Sequence, residues 1–374
     1  MDIPRKVTFL SRSSVIHRNH RMQFYETKMA SEYLKQGWEV QILTTSFSQS
    51  QSNIIKKIYD SIEYVSFPYC EPDRYTSEYF TATKEWIEQE DNESDLIIGS
   101  SWAGLGLLDL KEKNVCHVLH NSYSTNKKTR HLRKVVPQYI EWLINTRKIK
   151  KSNQKIIAVS NELRDMIIKD YPFKLEVHSI PNGISIPDSI KNVKKRDPLV
   201  AIFIGRLNTQ KGIEQIIEAA KNIKDMKFVI HGTPQSEEYR TKLMDSINGL
   251  VNIEINCEGL SPDEVWSEYS GATYSLHPTI VNEGLPYSLL EAMAVGCIPV
   301  ASMSGGMQTV IEDGVNGYLF ENTGSLDNLT KALKKVIASG ESSRDYMSSN
   351  AILTVAESFS AENHIRLINE LMIV

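Results

Sequence analysis

Two short stretches hold the residues whose spacing is most informative chemically. In HPTIVNEGLPYSLLEAMAVGCIPVAS, residues 277–302, Glu283 and Glu291 stand eight positions apart, with Gly284 and Pro286 between them and Gly296 behind. Pro286 suits the first position of a helix, where its missing N–H costs nothing, and Gly296 suits the C-terminal cap, so a helix is predicted over about 286–295. Free N–H groups at that start, with the partial positive charge of the helix, attract phosphate, and Gly284 lets the backbone approach closely. Glu283 lies just before the start, while Glu291 lies inside the helix on a stripe with Tyr287 and Ser288. Carboxylates so placed accept hydrogen bonds from hydroxyl groups, as binding groups rather than nucleophiles. In IGRLNTQKG, residues 204–212, Arg206 follows an apolar strand and Lys211 stands five residues on, at the start of the next predicted helix. A planar fork and a point charge at a strand-to-helix junction suit a departing diphosphate. The plainer reading is a solvated helix start, but a cation there opposes the helix dipole, so a bound anion is the better explanation.

The elements that must position these residues alternate regularly. Strands are predicted at 6–10, 38–45, 62–67, 95–99, 114–119, 155–160 and 176–180, and a second series begins at PLVAIFIG (198–205) and continues through KFVIHG, NIEIN, TYSLH, IPVAS and YLF. Helix-period segments fill the gaps, which predicts parallel sheets covered on both faces. The first helix, 21–36, puts Met22, Tyr25, Met29 and Tyr33 on one stripe and stops at Gly37. Between the two series, residues 181–198 carry three prolines, a basic run and no apolar period, and read as a linker. The predicted fold class is α/β, with two Rossmann-like doubly wound domains facing a cleft. Their bounds are 1–183, a linker at 184–197, and 198–356. In such folds ligands gather beyond the carboxyl ends of the strands.

Composition narrows the function classes. The 374 residues are 41% apolar and 24% charged, the balance of a folded globular chain of two or three cores. No apolar run approaches the roughly 18 residues of a membrane span, and the amino-terminal stretch offers only VTFL where a signal peptide needs more, so a cytoplasmic protein is expected. Cys70, Cys116, Cys257 and Cys297 are scattered without C-x-x-C spacing, which argues against structural zinc and disulfides. No D-x-D triplet occurs, so no metal-clamped diphosphate is expected and the cations must come from the protein. GLGLLD at 104–109 misses the G-x-G-x-x-G pattern of dinucleotide sites and reads as packing. Net charge is −4, yet residues 1–195 hold 29 Lys and Arg against 23 Asp and Glu, and the remainder 13 against 23. The surplus concentrates in the basic residues of 127–155, a stretch that reads either as a solvated face or as a peripheral contact with a membrane surface at the inner face. Nucleic acid is not expected as a partner.

With these motifs in view, the chain resembles the donor domain of GT-B glycosyltransferases, specifically the retaining family 4. That pattern, a GR-x-x-x-x-KG loop followed by E-x7-E, is matched by Arg206, Lys211, Glu283 and Glu291, and the likeness extends through IPNG at the linker, SGG at 304–306 and DGVNGYLF at 313–320. The resemblance implies a transferase that moves a sugar from a UDP- or GDP-sugar to an acceptor hydroxyl without a metal or other cofactor. It implies that Arg206 and Lys211 hold the donor phosphates, beside Gly205. Glu283 would hold the sugar and Glu291, with Ser288, the ribose. The backbone of Gly284 and Leu285 would complete the phosphate site, and the base would lie near Gly232, Glu258, Gly259 and Leu260. It also implies that the C-terminal helix, 357–374, crosses back to the N-terminal domain, and that His120, in VLHNSYS, reaches toward the transferred sugar. The amino-terminal domain departs from the pattern: SRSSVIHRNH stands where a Gly-Gly turn is usual, leaving Ser13, Ser14 and Asn121 as acceptor-side candidates, and Gln308 replaces a common Glu. The implied acceptor is a glycan, lipid-linked or phosphorylated, within polysaccharide or glycoconjugate biosynthesis. The rival reading is a catalytically silent subunit that binds the sugar nucleotide.

Overall fold

Short runs rich in Val, Ile and Leu become the central strands of two sheets, because a strand buried on both faces needs apolar side chains in both directions. The computed structural model describes residues 5–12, 14, 25–68, 76–89, 93–101, 103–110, 113–121, 147–148, 150–152, 154–170, 174–187 and 196–373. The chain divides into two units, residues 1–183 with 361–374, and residues 184–360.

In the first unit the strands are β1 (Lys6–Leu10), β2 (Glu39–Thr44), β3 (Ile55–Tyr59), β4 (Ile62–Ser66), β5 (Leu96–Ser100), β6 (Val115–Leu119), β7 (Lys155–Ala158) and β8 (His178–Ser179). They form one sheet in the order β3-β4-β2-β1-β5-β6-β7-β8. Every pairing is parallel except β3 with β4. That hairpin departs from the all-parallel expectation. Its turn, Asp60–Ser61, has φ of 49° and 64°, the left-handed pair that a two-residue hairpin loop requires. Strand β3 reads IKKIY, and its lysines face solvent at the sheet edge, where they hide the apolar signal and discourage edge pairing.

Helix α1 (Tyr25–Lys35) buries Tyr25, Met29 and Tyr33, the predicted stripe; Met22 lies outside the described residues. It ends as predicted: Gly37 has φ +82°, with Gly37 N donating to Leu34 O and Trp38 N to Tyr33 O. Helix α2 (Ser77–Gln89) packs Tyr79, Trp86 and Ile87 into a core with Leu10, Leu43 and Ile97. GLGLLD forms a 3₁₀ turn, where a Cβ on Gly104 would meet the buried His117 ring at 2.6 Å, a packing constraint. Helix α3 (Asn161–Asp170) starts under the Ser160 hydroxyl, which accepts from Leu163 N at 3.1 Å. The C-terminal helix, Ala361–Met372, belongs to this unit, as the resemblance implied. It packs against α1, with Tyr33 Oη donating to Asn369 Oδ1 at 2.9 Å.

The second unit holds β9 (Asp197–Ile204), β10 (Lys227–His231), β11 (Ile253–Asn256), β12 (Ala272–His277), β13 (Ile298–Ser302) and β14 (Tyr318–Phe320), all parallel, in the order β11-β10-β9-β12-β13-β14. Helix α4 (Ile213–Asn222) turns Ile213, Ile216, Ile217 and Ala220 onto the sheet. Helices α5 (Glu237–Ser246), α6 (Pro262–Gly271), α7 (Tyr287–Ala294), α8 (Met307–Val310), α9 (Asn328–Ile337) and α10 (Glu341–Ser358) complete the cover. From β9 the chain winds outward to β10 and β11, then crosses to β12, β13 and β14. The direction therefore reverses between β9 and β12, the point beyond whose carboxyl ends such sheets take their ligands. The corresponding reversal in the first unit lies between β1 and β5.

Candidate functional site

The crevice between β9 and β12 is where the two sequence stretches meet. After β9, Gly205 N donates to His231 O and Leu207 N to Thr233 O, both at 3.0 Å, so the backbone on either side of Arg206 is pinned to the exit of β10. Arg206 itself is exposed and has no ion-pair partner among the described residues. The chain then makes a 3₁₀ turn, Thr209–Lys211, whose start is capped by Asn208 Oδ1, accepting from Gln210 N and Lys211 N at 3.1 Å. Lys211 thus ends a short turn ahead of α4 rather than opening that helix. Gly212, at φ +71°, makes the bend, and a Cβ there would lie 2.1 Å from Pro278 O, so only glycine fits.

The loop after β12 is stapled to this turn. Ile280 N donates to Gln210 O at 2.9 Å and Thr279 Oγ1 to the same oxygen at 3.1 Å. These contacts bring Lys211 Nζ within 2.5 Å of Glu283 Oε1, both side chains about four-fifths buried. The anion expected beside Lys211 is, in this structure, a carboxylate of the chain itself. The end of β12 adds a group that the sequence reading passed over: His277, buried, with Nε2 3.2 Å from Ser275 Oγ. Burial, reinforced by the Lys211 charge, pushes its imidazole down to about 3, so it stays neutral beneath the ion pair. The signal available in the sequence was its place at the end of a buried strand.

Glycines set the remaining geometry. A Cβ on Gly305 would fall 1.9 Å from Glu283 O and one on Gly306 1.7 Å from Gly284 O, while Gly306 N donates to Glu283 O at 2.9 Å. The SGG segment therefore lies backbone to backbone against Glu283 and Gly284. Helix α7 begins one residue later than predicted, because Pro286 keeps an extended ψ of 134° and serves as the N-cap. Proline has no side-chain acceptor and so supplies no cap of its own to this helix start, which follows buried Gly284 and Leu285. At the other end Gly296, φ +75°, closes the helix as predicted, with Gly296 N donating to Met293 O and Cys297 N to Ala292 O. Arg196 donates to Gly296 O at 2.8 Å, to Ser348 Oγ at 2.9 Å and to Val295 O. Ser288 and Glu291 are half-buried on α7, and burial, with the Glu291 charge, holds the phenol of Tyr269 on α6 well above its ordinary range. Gly232 packs against Gly205, where an added Cβ would stand 1.7 Å from Gly205 O. Glu258 and Gly259 are exposed beyond β11 and Leu260 half-buried; Glu258 N donates to Asn256 Oδ1 at 2.9 Å.

In the first unit, His120 follows β6 with its ring 4.9 Å from that of Tyr25, whose Oη lies 2.9 Å from His364 Nε2. Burial, with His364 nearby, pushes His120 down to about 4. His364 is likewise held at about 4 by burial, although Pro181 O, 2.6 Å from Nδ1, opposes this. Glu26, buried at the start of α1, has its carboxyl raised by burial, against hydrogen bonds from Ser100 and Ser11 and the charge of Arg12. Asn121 is exposed and Ser14 buried. Ser13 lies outside the described residues, as does most of the 127–155 stretch, of which Arg147, Lys148, Lys150, Lys151 and Lys155 are described. No helix among the described residues is long and apolar enough to cross a membrane.

Comparison with known proteins completes the picture. Residues 186–354 match the family described as glycosyl transferases group 1, and residues 25–186 match glycosyltransferase family 4. Lipopolysaccharide 1,2-N-acetylglucosaminetransferase of Salmonella typhimurium is 26% identical over 231 residues, 57% of this chain and 60% of that protein. The chain thus spans about three fifths of that curated relative, and less of the bacterial glycogen synthases it also matches. Sucrose-phosphate synthase from Thermosynechococcus elongatus superposes with a TM-score of 0.77 at 16% identity, over 98% of each chain. Anabaena HepE in complex with UDP-glucose gives 0.68 at 17%, over 98% of this chain and 99% of that one. Each half thus matches a glycosyltransferase family model, the carboxy-terminal one that of the group 1 glycosyltransferases, and the chain has the GT-B fold.

Proposed function

We propose that this protein transfers a hexosyl group from a nucleoside-diphosphate sugar to an acceptor hydroxyl with retention of anomeric configuration and without a metal ion. The observation that carries this reading is the convergence of Lys211 and Glu283, from loops on either side of the β9/β12 reversal, next to the start of α7, whose N-cap is Pro286. A cation, a row of backbone donors and a carboxylate in one crevice match the three parts of a sugar diphosphate. Arg206 supplies a second cation, Glu283 accepts from sugar hydroxyls, and Glu291 with Ser288 takes the ribose. The base is assigned to the neighbourhood of Gly232 and residues 258–260. In the reaction the acceptor hydroxyl attacks the anomeric carbon on the face from which the diphosphate leaves. The carbon–oxygen bond to phosphate breaks as the new one forms, and the acceptor proton passes to the departing phosphate. On the first unit we assign His120 as a neutral hydrogen-bonding group facing the sugar, and Asn121, Ser13 and Ser14 to the acceptor side.

The matches to a lipopolysaccharide N-acetylglucosaminetransferase and to a protein holding UDP-glucose make UDP-hexoses the first donors to test and a cell-surface glycan the first acceptor class. The experiment is donor turnover in EDTA, with the anomeric configuration of the product read by NMR. Release of UDP that requires added divalent metal would refute the metal-free reading, and an inverted product would refute retention. Binding of donor with no turnover in any acceptor mixture would favour a silent subunit.

A further inference from the structure

The ion pair between Lys211 and Glu283 places a carboxylate where the proposed function needs a diphosphate. The two loops cannot separate to relieve this, because Gln210 O is tied to Ile280 N and Thr279 Oγ1, Gly212 rests on Pro278 O, and Gly306 N is tied to Glu283 O. Only the side chains are free to exchange partners. When a diphosphate takes Lys211, the Glu283 carboxylate loses its cation and stands beside new negative charge. A sugar on the diphosphate offers hydroxyl donors that compensate this loss, whereas a bare nucleoside diphosphate offers none.

Resting on the donor-site reading above, we infer that Glu283 is a specificity-determining residue: it competes with the diphosphate for Lys211 and so makes the site favour sugar-bearing donor over the nucleoside diphosphate left after transfer. Once the sugar has gone, the carboxylate returns to Lys211 and displaces the product. Glu283 therefore has two partners in turn, the ammonium in the resting site and the sugar in the loaded one. His277 sharpens the exchange, since its buried neutral ring adds no further charge beside Lys211, and the other cation assigned to the site, Arg206, is exposed.

The test is calorimetric titration of the full chain with UDP and UDP-glucose, and with the ADP and GDP counterparts, for wild type, Glu283→Gln, Lys211→Ala and the double variant. Glutamine keeps the size of the side chain and one acceptor oxygen and removes its charge. Glu283→Gln is expected to bind the nucleoside diphosphate about tenfold more tightly than wild type, and to narrow the preference for the sugar-bearing form by at least as much. The gain in diphosphate affinity should vanish in the Lys211→Ala background, an outcome that a merely structural role would not produce. Wild type that binds both ligands, with Glu283→Gln binding the diphosphate no better, would overturn the competition and leave the donor site standing. Wild type that binds none of the nucleotides would overturn both.

Discussion

The two units solve the same architectural problem with different materials. In the second, the crevice at the strand reversal is shaped by main chain: Gly205 against Gly232, Gly212 against Pro278, Gly305 and Gly306 against Glu283 and Gly284. In the first, the corresponding region is filled by polar side chains, with Glu26 buried among Ser11, Ser100 and Arg12, and the rings of Tyr25, His120 and His364 clustered nearby. Main chain packed on main chain leaves no freedom for substitution and fixes donors and acceptors within a few tenths of an ångström. Side-chain packing tolerates change and permits titration. The contrast separates a crevice that admits no added atom from one whose side chains can change and titrate.

The comparison is broken most sharply by adding single methyl groups. Gly212→Ala meets backbone oxygen and a left-handed φ, and should destabilise the second unit by about 4 kcal/mol or more, with loss of nucleotide binding. Gly104→Ala in the first unit meets the His117 ring, a side chain rather than backbone, and carries no left-handed φ, so it should cost less. Equal losses in thermal melts would end the distinction. Next in size, Lys211→Ala should lower donor turnover on the order of 100-fold. Arg206→Ala, which removes an exposed side chain, should lower it without shifting the melting temperature.

Acid titration sharpens the other side. His120 and His364 sit at about 4 in the folded protein, below the ordinary 6.5, so between those values the unfolded chain binds protons that the folded chain refuses. Stability should therefore fall as pH drops from about 6.5 toward 4. His277 adds to the slope in the second unit, and the raised Glu26 works in the opposite sense within the carboxylate range. His364→Gln should flatten the dependence measured by melting across that window; an unchanged slope would mean that these rings do not carry it. The smallest effect is Tyr25→Phe, which removes the contact with His364 Nε2 and should cost about 1 kcal/mol in denaturant unfolding.

Much of this was readable before any coordinates. The central strands announce themselves because burial on both faces demands uninterrupted Val, Ile and Leu, and Gly37 and Gly296 mark helix ends because few other residues adopt a positive φ there. Strand β3 escaped because its exposed lysines erase the alternation. Pro286 was placed one position too far into the helix, since its fixed φ fits N-cap and first turn alike and only ψ separates them. The types at Lys211 and Glu283 were legible, but not their partnership. It joins positions 72 residues apart through the order of strands in the sheet, which local pattern does not encode. The reason for two consecutive glycines at 305 and 306 likewise exists only across the fold.

Arg196, the residue immediately before β9, holds the far end of α7 through Val295 O and Gly296 O, while the near end of that helix opens toward Glu283. Eight residues make a rod about 12 Å long, and a guanidinium on its negative pole leaves the opposite pole's field unopposed. One guanidinium thereby moors the entry to β9 to the far tip of the rod whose near tip adjoins Glu283.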